Sequence, residues 1–218
     1  MLSVVIPSLN ARGTLTACLA AVDEADEVVL VDAGSSDDSV AIAERSGARL
    51  VHGSRGRGTQ LHAGALAAEG DWLLFLHADT LLAPGWREAV DLHMASRPGS
   101  AAYFRFRLDS DDRRARILEW AVVARAFLMK LPYGDQALLI SRNLYEEVGG
   151  FRPLPLMEDV DLVRRIGRRR LRSLPVDAVT SAERWHRDGW LRRSARNLLY
   201  LLLYRVGVAP QRLAKLYD

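Results

Sequence analysis

The 218-residue sequence holds one cysteine, Cys18. A lone thiol excludes a disulfide framework and a cysteine-built zinc site. Its place among Leu15, Leu19 and Val22, at helical spacing, marks it as a buried structural side chain, and a reducing, cytoplasmic compartment is the default expectation. Long apolar runs are missing too. The strongest near the C-terminus, Leu198 to Tyr204, falls far short of the roughly 20 residues that cross a bilayer; it could lie on a membrane surface but not span it. The opening Met1-Leu2-Ser3-Val4-Val5-Ile6-Pro7 has neither the basic stretch nor the cleavage site of a signal peptide and reads as a strand. Internal repeats and low-complexity segments are absent. So are a Gly-Lys-Ser/Thr phosphate loop and a glycine-rich dinucleotide fingerprint after the first strand.

What is present is an ordinary globular composition, 49% apolar and 26% charged, which argues against disorder. The length suits one compact unit. A net charge of +3 comes from arginine more than lysine, with a cluster at Arg164, Arg165, Arg168, Arg169, Arg170 and Arg172. On charge alone that cluster could meet nucleic acid, anionic lipid or a phosphorylated substrate; a solvated helix face accounts for it equally well. Nucleic acid is not an expected partner.

Short runs rich in Val, Ile and Leu recur at Ser3–Ile6, Val28–Val31, Arg49–Val51 and Trp72–Leu76, separated by stretches of helical spacing. This alternation predicts β-α units and a mainly parallel, Rossmann-like sheet flanked by helices. Ser35, three residues before Asp38, predicts a capped helix closed by Gly47. Further helices are expected at Thr59–Glu69 and Trp86–Ser96. After Gly99 the pattern becomes mixed: a strand at Ala101–Leu108, a long helix from Asp111 to Met129, a loop at 132–136, a strand at Ala137–Ile140, a helix at Asn143–Val148 and another from Glu158. The expected organisation is a single unit with a nucleotide-binding half (1–100), a mixed, loop-rich half (101–180), which the resemblance described below makes acceptor-binding, and a helical C-terminal segment (181–218).

In an open parallel sheet ligands bind beyond the carboxyl ends of the strands. Four polar segments fall there: Pro7–Asn10, Asp32–Ser36, Gly53–Gln60 and His77–Thr80. Asp32, with Gly34 and Ser35 behind it, could accept hydrogen bonds from a ribose or base; its other reading is a helix cap. Gly53-Ser54-Arg55-Gly56-Arg57-Gly58 could meet phosphate oxygens, or be a plain surface loop. His77-Ala78-Asp79 could hold Mg²⁺ or Mn²⁺ against a diphosphate, or combine a buried histidine with a turn aspartate. Glu158, Asp159 and Asp161 sit at a helix start, where the helix dipole favours them; Glu158 or Asp159 could equally act as a general base toward an acceptor hydroxyl.

Taken in order and spacing, Val4-Val5-Ile6-Pro7-Ser8-Leu9-Asn10, Val29–Asp37, Leu76-His77-Ala78-Asp79-Thr80 and Glu158-Asp159-Val160-Asp161-Leu162 resemble the family 2 glycosyltransferases of the GT-A fold, over nearly the whole chain. More narrowly, Gly134-Asp135-Gln136, the His-Ala-Asp-Thr form of the metal motif and the ending Arg184-Trp185 with Asn197–Tyr200 resemble a small bacterial subgroup named radical-SAM- or selenodomain-associated, or arsenosugar-biosynthesis, glycosyltransferases. The resemblance implies inverting transfer of a sugar from a nucleoside diphosphate sugar to an unidentified hydroxyl acceptor, assisted by Mg²⁺ or Mn²⁺. It implies that Pro7, Asn10 and Asp32, with Gly34 and Ser35, hold the nucleoside, that Arg57 and Gln60 follow the ribose-diphosphate path, and that Asp79, with His77 and Ala78, forms the metal end. Asp159, rivalled by Glu158, would be the base, and Asp135, Gln136, Arg184 and Trp185 would face the acceptor. Three departures stand out. His77 replaces the first aspartate of the usual Asp-x-Asp, Ala11 replaces an acidic residue, and Ser181 stands where processive enzymes carry glutamine. A sugar-nucleotide-forming nucleotidyltransferase would want a glycine-rich basic loop where Pro7-Ser8-Leu9-Asn10 stands. A non-catalytic nucleotide sensor, or a peripheral module bound to the inner membrane face through the C-terminal helix, is the remaining alternative.

Overall fold

The computed structural model describes residues 1–129 and 134–217. The first half is built of four successive strand-helix units with one added strand: β1 (Leu2–Ser8), α1 (Arg12–Ala20), β2 (Glu27–Asp32), α2 (Ser39–Arg45), β3 (Arg49–His52), α3 (Arg57–Ala67), β4 (Trp72–Phe75), β5 (Thr80–Leu82) and α4 (Trp86–Ser96). Then come β6 (Ala101–Asp109), α5 (Arg113–Met129), a 3-10 turn Gly134–Gln136, β7 (Leu138–Ser141), α6 (Arg142–Glu147), α7 (Glu158–Ile166), β8 (Leu171–Ser181), α8 (Glu183–Asp188), α9 (Trp190–Arg205) and α10 (Pro210–Tyr217). All eight strands form one sheet in the order β3-β2-β1-β4-β7-β6-β8-β5. β1 to β4 pair in parallel, β7 runs antiparallel to β4 and β6, and β5 antiparallel to β8. The mainly parallel α/β sheet expected from the sequence is therefore present, with its mixed part in the second half.

Why the strands read as near-continuous apolar runs is clear from their two faces. Val5, Val29, Val31, Leu73 and Phe75 enter a core packed by α3, α6 and α7. Their neighbours Leu2, Val4, Ile6, Leu30 and Leu74 enter a second core with Leu15, Cys18 and Leu19 of α1 and Trp86 and Val90 of α4. Side chains alternate across a strand, so a sheet covered on both sides needs apolar residues at every position. Cys18 is buried here, and burial pushes its thiol up to about 12; it is inert. A third cluster joins Phe106 and Leu108 to Ala115, Val122, Ala182, Trp185 and Trp190, and fastens α5, α8 and α9 to the sheet end.

Several expectations need correction. Ser35 does not cap α2; the helix begins at Ser39, whose amide donates to Asp37 Oδ1 at 3.0 Å. The same loop serves α1 instead: Ser39 Oγ accepts from the Ala11 amide at 2.9 Å and Asp37 Oδ2 from the Arg12 amide at 3.1 Å. Orphan amides of one helix are thus satisfied by a neighbouring loop. The arginine cluster is no single helix face. α7 ends at Ile166, Gly167 follows at φ +83°, Arg168–Arg170 form a 3-10 turn and Arg172 lies in β8. Helix α3 begins at Arg57, two residues earlier than expected. Residues 132 and 133 of the expected loop lie outside the described residues.

Candidate active site

Beyond the carboxyl ends of β1 and β4 lies a cleft of about 360 Å³, lined by Pro7, Ser8, Asn10, Gln60, His77 and Asp79 among others. A second cavity, of about 140 Å³, adjoins it and is lined by Asp135, Asp159, Trp185, Arg193, Asn197 and Tyr200 among others. Five residues face both: Arg57, His77, Asp79, Ser181 and Arg184. Two compartments thus share one charged wall. Asp159 lies only on the second side, and Pro7, Asn10 and Gln60 only on the first.

The first compartment is held by main-chain hydrogen bonds. Gln60 is buried, and its Nε2 donates to the carbonyls of Ser8 and Val31, both at 2.9 Å. It therefore ties α3 to the ends of β1 and β2. Asn10 adopts φ +53°, and its Oδ1 accepts from the Ser36 amide at 2.8 Å. Asp32 is buried; its Oδ2 accepts from the amides of Gly34 and Ser35 at 2.9 Å, and Ser35 Oγ donates to Oδ1. Asp32, Gly34 and Ser35 form a closed turn that does not line the cleft. Ser8 Oγ is a buried hydroxyl at its edge without a hydrogen-bond partner, and was not anticipated.

The shared wall carries the strong charges. Arg57 Nε donates to Glu158 Oε1, with Glu158 almost fully buried and Arg57 38% exposed. The negative charge beside it raises the Arg57 guanidinium, against the effect of burial. Burial raises Glu158, against the pull of Arg57. Glu158 is therefore engaged with Arg57 and lines neither compartment. Gly58 permits this approach, since a Cβ there would lie 2.5 Å from the Arg152 carbonyl and 3.0 Å from Glu158 Cβ. Burial and the Arg57 charge lower His77 to about 4, so its ring is neutral near pH 7. Arg184 Nη2 stands 3.6 Å from Asp79 Oδ2.

Asp159 opens to the second compartment, beside Asp135 and the shared Asp79. Its Oδ2 accepts from the Gly134 amide and its Oδ1 from the Val160 amide, both at 2.7 Å. Gly134 packs between two functional groups: a Cβ there would sit 2.6 Å from His77 Nε2 and 3.4 Å from Asp159 Oδ2. The next residue, Asp135, is raised to about 6 by burial and by the charges of Asp159 and Asp79, and its Oδ1 is buried without a partner. Gln136 turns away, donating to the Phe104 carbonyl at 3.2 Å. Non-glycine residues with positive φ among the described ones are Asn10, Ala137 and Met157. Each borders a site segment, as expected where function holds backbone in sparsely populated regions.

Arg57, His77, Ala78, Asp79, Asp135, Asp159, Arg184 and Trp185 therefore come together with Pro7, Asn10 and Gln60 around the two compartments. Asp32, Gln136 and Glu158 are buried and line neither compartment, and Gly34 and Ser35, nearer the surface, lie outside both. Arg193 of α9 and Thr180 of β8 line the second compartment without a signal in the motifs, and Asn197, Tyr200 and Ser181, which stood in the motif comparisons with no site role, line it too. The recurring spacing of Arg193, Asn197 and Tyr200 was the signal available.

Among the described residues no three His, Cys, Asp or Glu side chains gather into a metal cage. Asp79 supplies one partly exposed carboxylate. Magnesium-like ions are commonly held by one or two carboxylates plus substrate phosphates and water. The residues fit an ion shared with a diphosphate, not one held by protein alone.

An α/β sheet with a two-compartment polar site at its strand ends is the architecture of a nucleotide-sugar-dependent transferase of GT-A type. The model of Glycosyl transferase family 2 matches residues 3–155, and the chain belongs to that family. An uncharacterized glycosyltransferase of Mycobacterium tuberculosis is 40% identical over 78 residues, 35% of this chain and 36% of the relative. A PGL/p-HBAD biosynthesis glycosyltransferase of Mycobacterium bovis is 39% identical over 93 residues, 38% of this chain and 36% of the relative. The matched segments thus span little more than a third of the length of these curated relatives. Among solved structures, glucosyl-3-phosphoglycerate synthase from M. tuberculosis with Mn²⁺, UDP-glucose and phosphoglyceric acid aligns with TM-score 0.64 and 21% identity, covering 95% of this chain and 80% of that one. S. aureus TarS 1-349 aligns with TM-score 0.63 and 15% identity, covering 95% and 66%. These likenesses show the shared fold.

Proposed function

We propose that this chain is an inverting glycosyltransferase that moves a sugar from a nucleoside diphosphate sugar to an acceptor hydroxyl. The observation that carries the reading is the pair of compartments divided by one charged wall, with the Asp159 carboxylate, oriented by two backbone amides, on one side only. The donor occupies the cleft beside Pro7, Asn10 and Gln60, with its base toward the Asp32-Gly34-Ser35 turn and its diphosphate along Arg57, Arg184 and Asp79. The acceptor enters the second compartment beside Asp135, Trp185 and Arg193. Asp159 takes the proton of the acceptor hydroxyl as its oxygen bonds the anomeric carbon, and the bond from that carbon to the diphosphate oxygen breaks on the opposite face. A Mg²⁺ or Mn²⁺ bound with the diphosphate at Asp79, with neutral His77 beside it, would supply charge neutralisation for the leaving group. Arg57 and Arg184 add fixed positive charge to the same oxygens.

Structural neighbours solved with UDP and Mn²⁺, with UDP and Mg²⁺ or with UDP-GlcNAc support a UDP-sugar and a divalent ion as first candidates. The narrower subgroup identity is part of the proposal, since Asp135, His77, Arg184 and Trp185 from its three motifs border one cavity. The test is thermal unfolding with UDP or GDP, with and without Mn²⁺ or Mg²⁺, followed by a panel of nucleotide sugars. Stabilisation that requires the metal is expected. No shift with any nucleotide, with or without metal, would overturn the reading.

A further inference from the structure

Helix α9 is amphipathic in an unusual sense: its polar side faces inward. Arg193, Asn197 and Tyr200 line the acceptor-side cavity. Leu191, Leu198, Leu202 and, at the helix end, Val206 are exposed, from 50% to 86%. With Ala195 they fall within an arc of about 80° at ~100° per residue, a stripe about 22 Å long at ~1.5 Å per residue. Leu216 of α10 is likewise exposed.

The charge carried by α9 and α10 themselves is of one sign, Asp188 just before α9 being paired with Arg193 and Arg196. Residues 189–217 contain Arg192, Arg193, Arg196, Arg205, Arg212 and Lys215 and no aspartate or glutamate. The whole chain carries only +3, so the remainder is net acidic. Arg192 and Arg205 flank the stripe at exposed positions, and Arg212 and Lys215 are exposed on α10. Nucleic acid would leave the leucines unused. A second copy packed face to face would bring like charges together. An anionic bilayer satisfies both features, taking the leucines into the acyl boundary while its phosphates meet the arginines. Among the described residues no helix is long and apolar enough to cross a membrane, so the contact is peripheral.

We propose that the outer face of α9, continued by α10, docks on an anionic lipid bilayer. One helix then faces the membrane on one side and roofs the acceptor compartment on the other. Joined to the transferase reading, on which this sentence alone rests, the docking presents acceptor hydroxyls from the membrane surface.

The test is co-sedimentation of the full chain with vesicles of phosphatidylcholine alone or mixed with equal phosphatidylglycerol, which needs no turnover and so fails or succeeds independently of the transferase reading. Binding to the anionic vesicles, weakened by salt, is expected. Leu198→Ser with Leu202→Ser should lower it by about tenfold or more, and Arg192→Glu with Arg205→Glu by a similar factor. Leu92→Ser, at an exposed leucine of α4, should leave it unchanged. Circular dichroism checks that each variant is folded, as exposed substitutions should be. The proposal is overturned by absence of binding, by equal binding to neutral vesicles, or by folded stripe variants that bind like the parent. Sedimentation velocity showing a dimer that the leucine substitutions dissolve would overturn it in favour of a self-interface.

Discussion

The two compartments meet at one wall yet are built in opposite ways. On the proposed donor side most polar side chains are committed to the backbone, Ser8 Oγ excepted: Gln60 joins two strand ends, Asn10 fastens a neighbouring loop and, behind the cleft, Asp32 closes its own turn. On the proposed acceptor side, buried polar atoms lack partners, among them Asp135 Oδ1, Trp185 Nε1 and Arg193 Nε, and burial raises Asp135. Buried polar groups are almost always satisfied, so such a concentration marks a surface completed by something else. The lesson is a division of labour: substitutions on the donor side should act first through stability, those on the acceptor side through turnover.

The largest expected effect tests the acceptor side. Asp159→Asn should lower kcat about a thousandfold, the scale of a lost general base, with a smaller loss of melting temperature because one of its two backbone amides loses its acceptor. Unaltered turnover in single-turnover assays would move the base elsewhere. Next comes the wall. Arg57→Met leaves the buried Glu158 carboxylate unpaired and should cost about 2–3 kcal/mol in urea unfolding, below the ~3–5 of a fully buried pair because Arg57 is partly exposed. It should weaken donor binding as well, so an effect on stability alone would separate Arg57 from the diphosphate. On the donor side, Gln60→Leu removes both Nε2 hydrogen bonds and should cost about 1–2 kcal/mol; full stability with lost donor binding would reverse the contrast between compartments.

The effect confined to the narrowest pH window concerns Asp135, raised from 3.8 to about 6. Over that range the folded protein holds a proton that the unfolded chain has released. Its contribution to stability is therefore full below about pH 4 and lost as pH rises through about 6. Asp135→Asn should flatten that segment of the melting-temperature profile. A wild-type slope retained in the variant would assign it to another group.

Much of this arrangement could be read from the residues. The doubly covered strands β1, β2 and β4 declared themselves as apolar runs, and the His77 to Asp79 and Glu158-Asp159 segments stood out by position. β8 did not, because Leu171–Ser181 mixes Arg, Ser, Pro and Asp with its apolar residues, and only pairing with β6 and β5 makes it a strand. Ser35 presented the spacing of a cap, but Asp32 lies close enough to claim its hydroxyl. Glu158 and Asp159 looked interchangeable; their separation depends on Arg57, 101 residues away, which binds the first and leaves the second to the cavity. α9 divides its apolar run between two sides, Leu201 entering the core while Leu198 and Leu202 stay exposed, so the run alone could not say which side faces in.

The central claim, that donor and acceptor occupy different sides of one wall, is tested most directly by calorimetric titration of UDP with Mn²⁺ into Asp79→Asn and Asp159→Asn. Loss of binding in the Asp79 variant, with parental affinity in the Asp159 variant, is the predicted result. Equal loss in both would contradict it, placing Asp159 in the donor site and merging the two compartments into one.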